Sequence, residues 1–124
     1  MITYFKDIRD RFEALVSDDT PIYTVTSTPG CNITKIQPGM IGNKFYRTKG
    51  HKHINGEGEL YKCISGCGYV VQITENGRLV KKFEPDDRVM ILPYAYHYVE
   101  NIGDEPLVFM TSGPTCEKDY TMRG

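Results

Sequence analysis

From Pro21 onward the chain is a succession of short β-prone runs cut by turn dipeptides, and that rhythm leaves few folds open. Ile22 to Thr28 is rich in Ile, Tyr, Val and Thr and is broken by Pro29-Gly30, while Asn32 to Gln37 ends at Pro38-Gly39. Leu60 to Ile64 and Tyr69 to Thr74 flank Ser65-Gly66-Cys67-Gly68. Asn76-Gly77 is a strong hairpin signal and predicts a tight turn joining Val70–Thr74 to Leu79–Phe83. Pro85-Asp86-Asp87 leads into Val89 to Leu92, and Tyr96 to Glu100 and Pro106 to Thr111 flank Asn101-Ile102-Gly103-Asp104-Glu105. Roughly eight or nine such strands predict an all-β sandwich or barrel. No helices alternate with them, which excludes a parallel α/β sheet.

Only the opening segment departs from this rhythm. Phe5, Ile8, Phe12, Leu15 and Val16 recur at steps of three and four, with Lys6, Asp7, Arg9, Asp10 and Arg11 between them. That spacing predicts an amphipathic helix over residues 1–17, stopped by Ser17-Asp18-Asp19-Thr20-Pro21. The expected organisation is one domain, with the helix at 1–17, a β-barrel at 22–112 and a C-terminal tail at 113–124. A chain of 124 residues can bury a core without disulfide staples.

Fifteen basic residues against sixteen acidic ones give no basal grip on a phosphate backbone, so no nucleic-acid partner is expected. No stretch approaches the roughly 20 apolar residues of a membrane span, so no membrane partner is expected either. Met1 to Val16 is charged throughout and lacks the apolar core of a secretory signal, which predicts a cytoplasmic protein. In that reducing compartment Cys31, Cys63, Cys67 and Cys116 are expected to be buried free thiols. Cys63 and Cys67 are also one residue too far apart for a usual zinc pair.

The three histidines are not scattered: two form His51-Lys52-His53, and the third is His97. Residues two apart in an extended segment project from one face, so His51 and His53 can point together into a barrel. Glu59 opens the run Glu59-Leu60-Tyr61, and His97 follows the turn at Pro93-Tyr94-Ala95-Tyr96. Three neutral imidazoles and a carboxylate suit a divalent first-row metal and leave positions open for water or substrate. A His-x-His pair alone is common and usually solvated; it gains weight here from the pattern around it.

Gly50-His51-Lys52-His53, Glu59 and then Gly66 resemble the first motif of the cupin superfamily, and Asp87 to Pro93 with His97 and Asn101 resembles the second. The resemblance implies a double-stranded β-helix barrel holding a metal through His51, His53, Glu59 and His97. Glu57 is a rival for the acidic ligand, but the interval from Glu59 to Gly66 is the one the motif requires. Two glycines of the general pattern are replaced by Phe45 and Asp87, which is tolerable where φ stays negative.

A narrower resemblance is carried by Arg47-Thr48-Lys49-Gly50-His51-Lys52-His53, Glu59-Leu60-Tyr61, Pro93-Tyr94-Ala95-Tyr96-His97 and Asn101-Ile102-Gly103-Asp104-Glu105-Pro106-Leu107. Together these are similar to the archaeal-type, cupin glucose-6-phosphate isomerases, with a weaker echo at Asp119-Tyr120. The resemblance implies one divalent ion per chain, iron(II) first, with Zn(II), Mn(II) and Ni(II) as the other candidates. It implies a small phosphosugar substrate whose C1 and C2 oxygens meet the metal. Glu59 would lie near the migrating hydrogen, as base of an enediol route or bystander to a hydride shift, and Tyr61 would be a second catalytic residue. Thr48 and the Gly50 N–H would meet the phosphate, with Thr34 and Tyr61 adding hydroxyls and Lys49 or Arg47 the charge. Tyr61 can equally be a core aromatic, and Thr34 an ordinary strand threonine.

The chain departs from that family near its end. Thr111-Ser112-Gly113-Pro114 lacks the family's tyrosine, and Glu117-Lys118-Asp119-Tyr120 has Lys118 where a histidine is usual. Two other readings therefore stand beside the isomerase: a cupin dioxygenase using iron(II), and a non-catalytic sugar-binding cupin. Barrels of this type commonly pair edge strands, so a homodimer is expected, with Ile22–Thr28 as a candidate for exchange.

Overall fold

Burial at every second residue is what folds these strands into facing sheets. In β7 (Glu59–Ser65) Glu59, Tyr61 and Cys63 are buried, and in β12 (Leu107–Ser112) Leu107, Phe109 and Thr111 are, with half-buried residues between. Successive strand side chains point to opposite faces, so each strand gives one row to the core. The computed structural model describes residues 2–8, 20–28, 31–53, 58–112 and 120–122; for Thr28, His51–His53 and Tyr120–Met122 it describes the backbone alone.

The remaining described elements are β1 (Ile2–Tyr4), α1 (Phe5–Ile8), β2 (Pro21–Thr28), β3 (Cys31–Ile36), β4 (Met40–Ile41), β5 (Lys44–Phe45), β6 (His51–His53), β8 (Gly68–Thr74), β9 (Gly77–Phe83), β10 (Arg88–Ile91), β11 (Tyr96–Asn101) and β13 (Tyr120–Met122). They form a six-stranded sheet in the order β1-β2-β3-β12-β7-β10, a five-stranded sheet β13-β6-β11-β8-β9, and the small pair β4-β5. The neighbouring strands of the two large sheets run antiparallel. Between the sheets lies one core that includes Ile36, Phe83, Ile91, Val99, Leu107 and Phe109. The fold is the all-β barrel expected from the sequence.

Three local expectations need correction. Ile2–Tyr4 is a strand paired with β2, and the described helix is Phe5–Ile8 alone; Phe12, Leu15 and Val16 lie outside the described residues. β-branched Ile2 and Thr3 and aromatic Tyr4 find a sheet edge there, and pairing outweighs the helical spacing. Within the expected tail, Tyr120–Met122 forms a strand opposite His53, Lys52 and His51. The hairpin turn is Glu75-Asn76, because Thr74 pairs with Gly77. Gly77 carries a positive φ of 125°, while Asn76 does not, so the glycine supplies its conformational freedom just after the turn, at the first residue of β9.

Neither Phe45 nor Asp87 has positive φ; the left-handed residue of the 84–87 turn is Asp86, at 72°. Aspartate tolerates that region better than most residues do. Tyr94 is the other left-handed non-glycine, at 64°. Ala95 N–H donates to Leu92 O at 3.2 Å, and Pro93 precedes Tyr94, the marks of a type II turn with tyrosine where glycine is usual. Tyr94→Gly should therefore stabilise the chain by about 1 kcal/mol in denaturant titration. A loss of stability would mean that the exposed ring of Tyr94 contributes contacts that outweigh its backbone strain.

Of the cysteines, Cys63 is buried, whereas Cys31 and Cys67 are half-buried; Cys116 lies outside the described residues. Burial first, and then the carboxylate of Asp87, push the Cys63 thiol up to about 11 from 9.0. The folded state thus holds this proton more tightly than the unfolded chain does. That contribution to stability is complete below 9.0 and is lost as pH rises through about 11. Iodoacetamide at mildly alkaline pH is accordingly expected to modify Cys67 well before Cys63, read by peptide mass spectrometry.

Candidate active site

The turn at Ser65–Gly68 joins β7 to β8, and β8 pairs along its length with β11. This connection brings Glu59 on one sheet opposite His97 on the other. His97 Nε2 lies 3.4 Å from Glu59 Oε1, and both side chains are buried. Tyr61, two residues along the same face of β7, donates its hydroxyl to Glu59 Oε1 at 3.2 Å. The Tyr61 ring meets the His97 imidazole edge-on, with centroids 5.7 Å apart, and stacks on Phe109 at 5.3 Å. Glu59, Tyr61 and His97, three residues singled out in the sequence, therefore form one cluster.

His97 Nδ1 stands 3.0 Å from the carbonyl of Ala95. A carbonyl only accepts, so in this contact Nδ1 carries the proton, and in the neutral imidazole the Nε2 lone pair is on the Glu59 side. This is the arrangement usual for a metal-binding imidazole, whose second nitrogen donates to a carbonyl or carboxylate. In register, position 51 stands directly opposite position 97, and β13 covers the other side of β6. The side chains of His51 and His53, and all of Glu57, lie outside the described residues. Among the described residues alone no group of three or more His, Cys, Asp or Glu side chains assembles. The donor set fits a divalent metal: a buried carboxylate and an imidazole with its lone pair toward that carboxylate, facing a strand that carries two more histidines.

The segment from Arg47 to Gly50 runs beside β11, from the Arg47–Glu100 bridge to the His51–His97 pair. Thr48 N–H donates to Val99 O at 2.9 Å, and Val99 N–H donates to Thr48 Oγ1 at 3.0 Å. Lys49 N–H donates to the Tyr23 hydroxyl at 3.2 Å. Gly50 has a φ of 90°, and a Cβ there would overlap the Tyr96 hydroxyl, so the approach to His51 requires glycine. Arg47, considered above as a source of phosphate charge, stacks on the Tyr98 ring at 3.5 Å and donates to Thr48 O, Lys49 O and the Tyr96 hydroxyl. Its guanidinium secures the loop from the outer face of β11, the face opposite His97 and Val99.

Thr34 is buried and pairs with Phe109, whose other neighbour is Cys63. It thus stands two interior rungs from Glu59, toward the Ser65–Gly68 turn. Thr48, beside Val99, is displaced from His97 toward that same end, since Gly68 pairs with Asn101. Ser112 alternates with buried Thr111 and faces outward, and Lys118 lies outside the described residues. Two buried polar residues on the inner faces of the sheets were not singled out from the sequence: Thr111, opposite Tyr61, and Gln72, opposite His97. The available signal was a polar residue at a core position of an alternating strand.

An antiparallel two-sheet barrel with a His–Glu cluster between its sheets is the architecture of the cupins. Solved structures of similar fold include Bacillus subtilis oxalate decarboxylase, at a TM-score of 0.64 and 21% identity over 90% of this chain and 30% of that one. The Lactobacillus farciminis oxalate decarboxylase formate complex gives 0.62 and 22% over 98% and 30%. Residues 13–122 match the family described as Glucose-6-phosphate isomerase (GPI), and the chain belongs to that family. Its curated relatives include the glucose-6-phosphate isomerase of Pyrococcus furiosus, 31% identical over 90% of this chain and 64% of the relative. Another, from Rhizobium meliloti, is called putative glucose-6-phosphate isomerase 2 and is 30% identical over 88% and 61%. The chain spans somewhat less than two thirds of the length of these relatives. No helix among the described residues is long and apolar enough to cross a membrane.

Proposed function

We propose that this chain carries the site of a metal-dependent aldose–ketose isomerase that interconverts glucose 6-phosphate and fructose 6-phosphate. The observation that carries the proposal is the buried Glu59 carboxylate set between the His97 imidazole and the Tyr61 hydroxyl, in a chain of this family. His51, His53, Glu59 and His97 would hold one divalent ion, with iron(II) the first candidate. When bound, that ion supplies Lewis-acid polarisation of the sugar carbonyl.

In the enediol route Glu59 takes the proton from C2 of the aldose and returns it to C1. In the hydride route it remains a ligand and an electrostatic neighbour. Tyr61 orients the carboxylate through Oε1 in either route. The phosphate would be met by the Thr48 hydroxyl, the Gly50 N–H, Thr34 and the Lys49 ammonium. In support, Thr34 and Thr48 are displaced from the Glu59–His97 pair toward the same end of the barrel, where a substrate held by C1 and C2 could extend its phosphate. Arg47 acts here as the clamp of that loop. A homodimer and a cytoplasmic setting belong to the same reading.

The test is conversion of fructose 6-phosphate by metal-free protein given Fe(II), Mn(II), Zn(II) and Ni(II) in turn. Turnover restored by at least one ion supports the proposal. An ion-loaded protein inert toward both hexose phosphates would sink it, and oxygen uptake on loading would point to a dioxygenase.

A further inference from the structure

Gln72 sits on β8 directly opposite His97, with its side chain buried between the sheets. Its Oε1 accepts from Leu92 N–H at 2.8 Å, and its Nε2 donates to Met90 O at 3.2 Å. The partners fix the orientation of the amide, since an N–H can only donate and a carbonyl only accept. Met90 lies in β10 and Leu92 just past its end; among the described residues β10 is the outermost strand of the six-stranded sheet, where outward backbone groups have no neighbouring strand. Ile91, between them, pairs with Glu59. Leu92 is also the first residue of the turn that ends at Ala95, whose carbonyl receives the His97 Nδ1 proton.

We propose that Gln72 is the positioning residue of this site. Its carboxamide fixes the backbone at Met90 and Leu92, and through the 92–95 turn it sets the Ala95 carbonyl that holds His97 in the Nδ1–H tautomer. The same clamp steadies the rung on which Glu59 lies. The turn needs such help, because its third residue, Tyr94, is a tyrosine at a φ of 64°. A strained backbone of this kind persists only where its surroundings over-determine it, and the two hydrogen bonds from Gln72 provide that from across the barrel. The functional meaning of the clamp rests on reading His97 as a metal ligand, but the clamp itself is observable without metal.

The decisive experiment compares wild type with Gln72→Met, which keeps the volume and removes both hydrogen bonds. Metal-free protein labelled with ¹⁵N-histidine is examined by NMR at a pH where imidazole is neutral, with His97→Ala to assign the signal. Backbone amide exchange at Leu92 and Mn(II) affinity are measured in parallel. In wild type the His97 nitrogens should show the Nδ1–H pattern. In Gln72→Met, Leu92 exchange should rise about tenfold, the tautomer pattern should become mixed, and Mn(II) affinity should fall about tenfold.

Released Leu92 with an unchanged His97 pattern and unchanged affinity would overturn the proposal and leave Gln72 as a cap on a strand edge. Should Gln72→Met not fold, Gln72→Glu decides, because it keeps the acceptor for Leu92. There the expected result is a protected Leu92 with the Nδ1–H pattern kept, and a protected Leu92 with the pattern lost would contradict the clamp. If His97→Ala binds Mn(II) as wild type does, the metal reading fails while the tautomer result still judges Gln72.

Discussion

Glu59→Gln is expected to lower kcat for fructose 6-phosphate isomerisation by about 10²–10⁴-fold while leaving the fold in place. The amide keeps the size of the carboxylate and can still accept from the Tyr61 hydroxyl, which now bonds to Oε1 at 3.2 Å. What it loses is the negative charge opposite His97 Nε2 at 3.4 Å, and the ability to receive a proton from carbon. Far-UV circular dichroism should be unchanged, and bound metal should fall because one anionic ligand has become neutral. An enediol mechanism would leave residual activity close to zero even at saturating metal. Activity recovered fully by excess metal would make Glu59 a ligand alone and favour the hydride route. Wild-type activity without added metal would remove Glu59 from the site altogether.

Phe109→Ala is expected to cost about 3–5 kcal/mol, the largest stability loss among simple truncations of this core. Phe109 is only 2% exposed, and it contacts rings on two sides: Tyr61 at 5.3 Å and Phe83 at 5.8 Å between centroids. Removing it leaves a cavity that β-sheet backbone cannot collapse to fill. The thermal midpoint should fall on the order of 10–20 °C. Because Tyr61 loses the ring it stacks on, its hold on Glu59 should slacken too, so metal affinity should drop in whatever folded protein remains. A loss below about 1 kcal/mol would show that the rings around Phe109 repack, and that the Tyr61 position does not depend on it.

These two residues also mark how far the sequence alone could be read. The strand rhythm predicted eight runs that became β2, β3 and β7 to β12, with ends shifted by one or two residues. Hydrophobic alternation and turn dipeptides act over a few residues, so a single chain displays them. The failures came where a neighbour decides. Ile2–Tyr4 is a strand because β2 offers an edge, and Tyr120–Met122 because β6 does; neither partner is visible from the local pattern. Asn76-Gly77 marks the hairpin, but the pairing of Thr74 with Gly77 sets the turn one residue earlier, at Glu75-Asn76.

At the site, the meeting of Glu59 and His97 was legible through motif spacing, while the bond from Tyr61 to Glu59 was not. Nor was Arg47, because a guanidinium is drawn equally to phosphate and to backbone carbonyls, and only the Tyr98 ring and the loop show which it chose. The role of Gln72 was hidden for a related reason. A lone glutamine at a core position of an apolar strand signals a buried polar group but not its partner, which lies in the backbone of β10 across the barrel.

The most direct test of a metal centre at Glu59 and His97 is calorimetric titration of Mn(II) into metal-free protein, wild type beside His97→Ala. Wild type is expected to saturate at one ion per chain and His97→Ala to lose affinity at least about 100-fold, because an imidazole aimed at the Glu59 carboxylate has been removed. Equal binding in the two proteins would contradict this, leaving Glu59 and His97 as a buried structural pair rather than half of a metal centre.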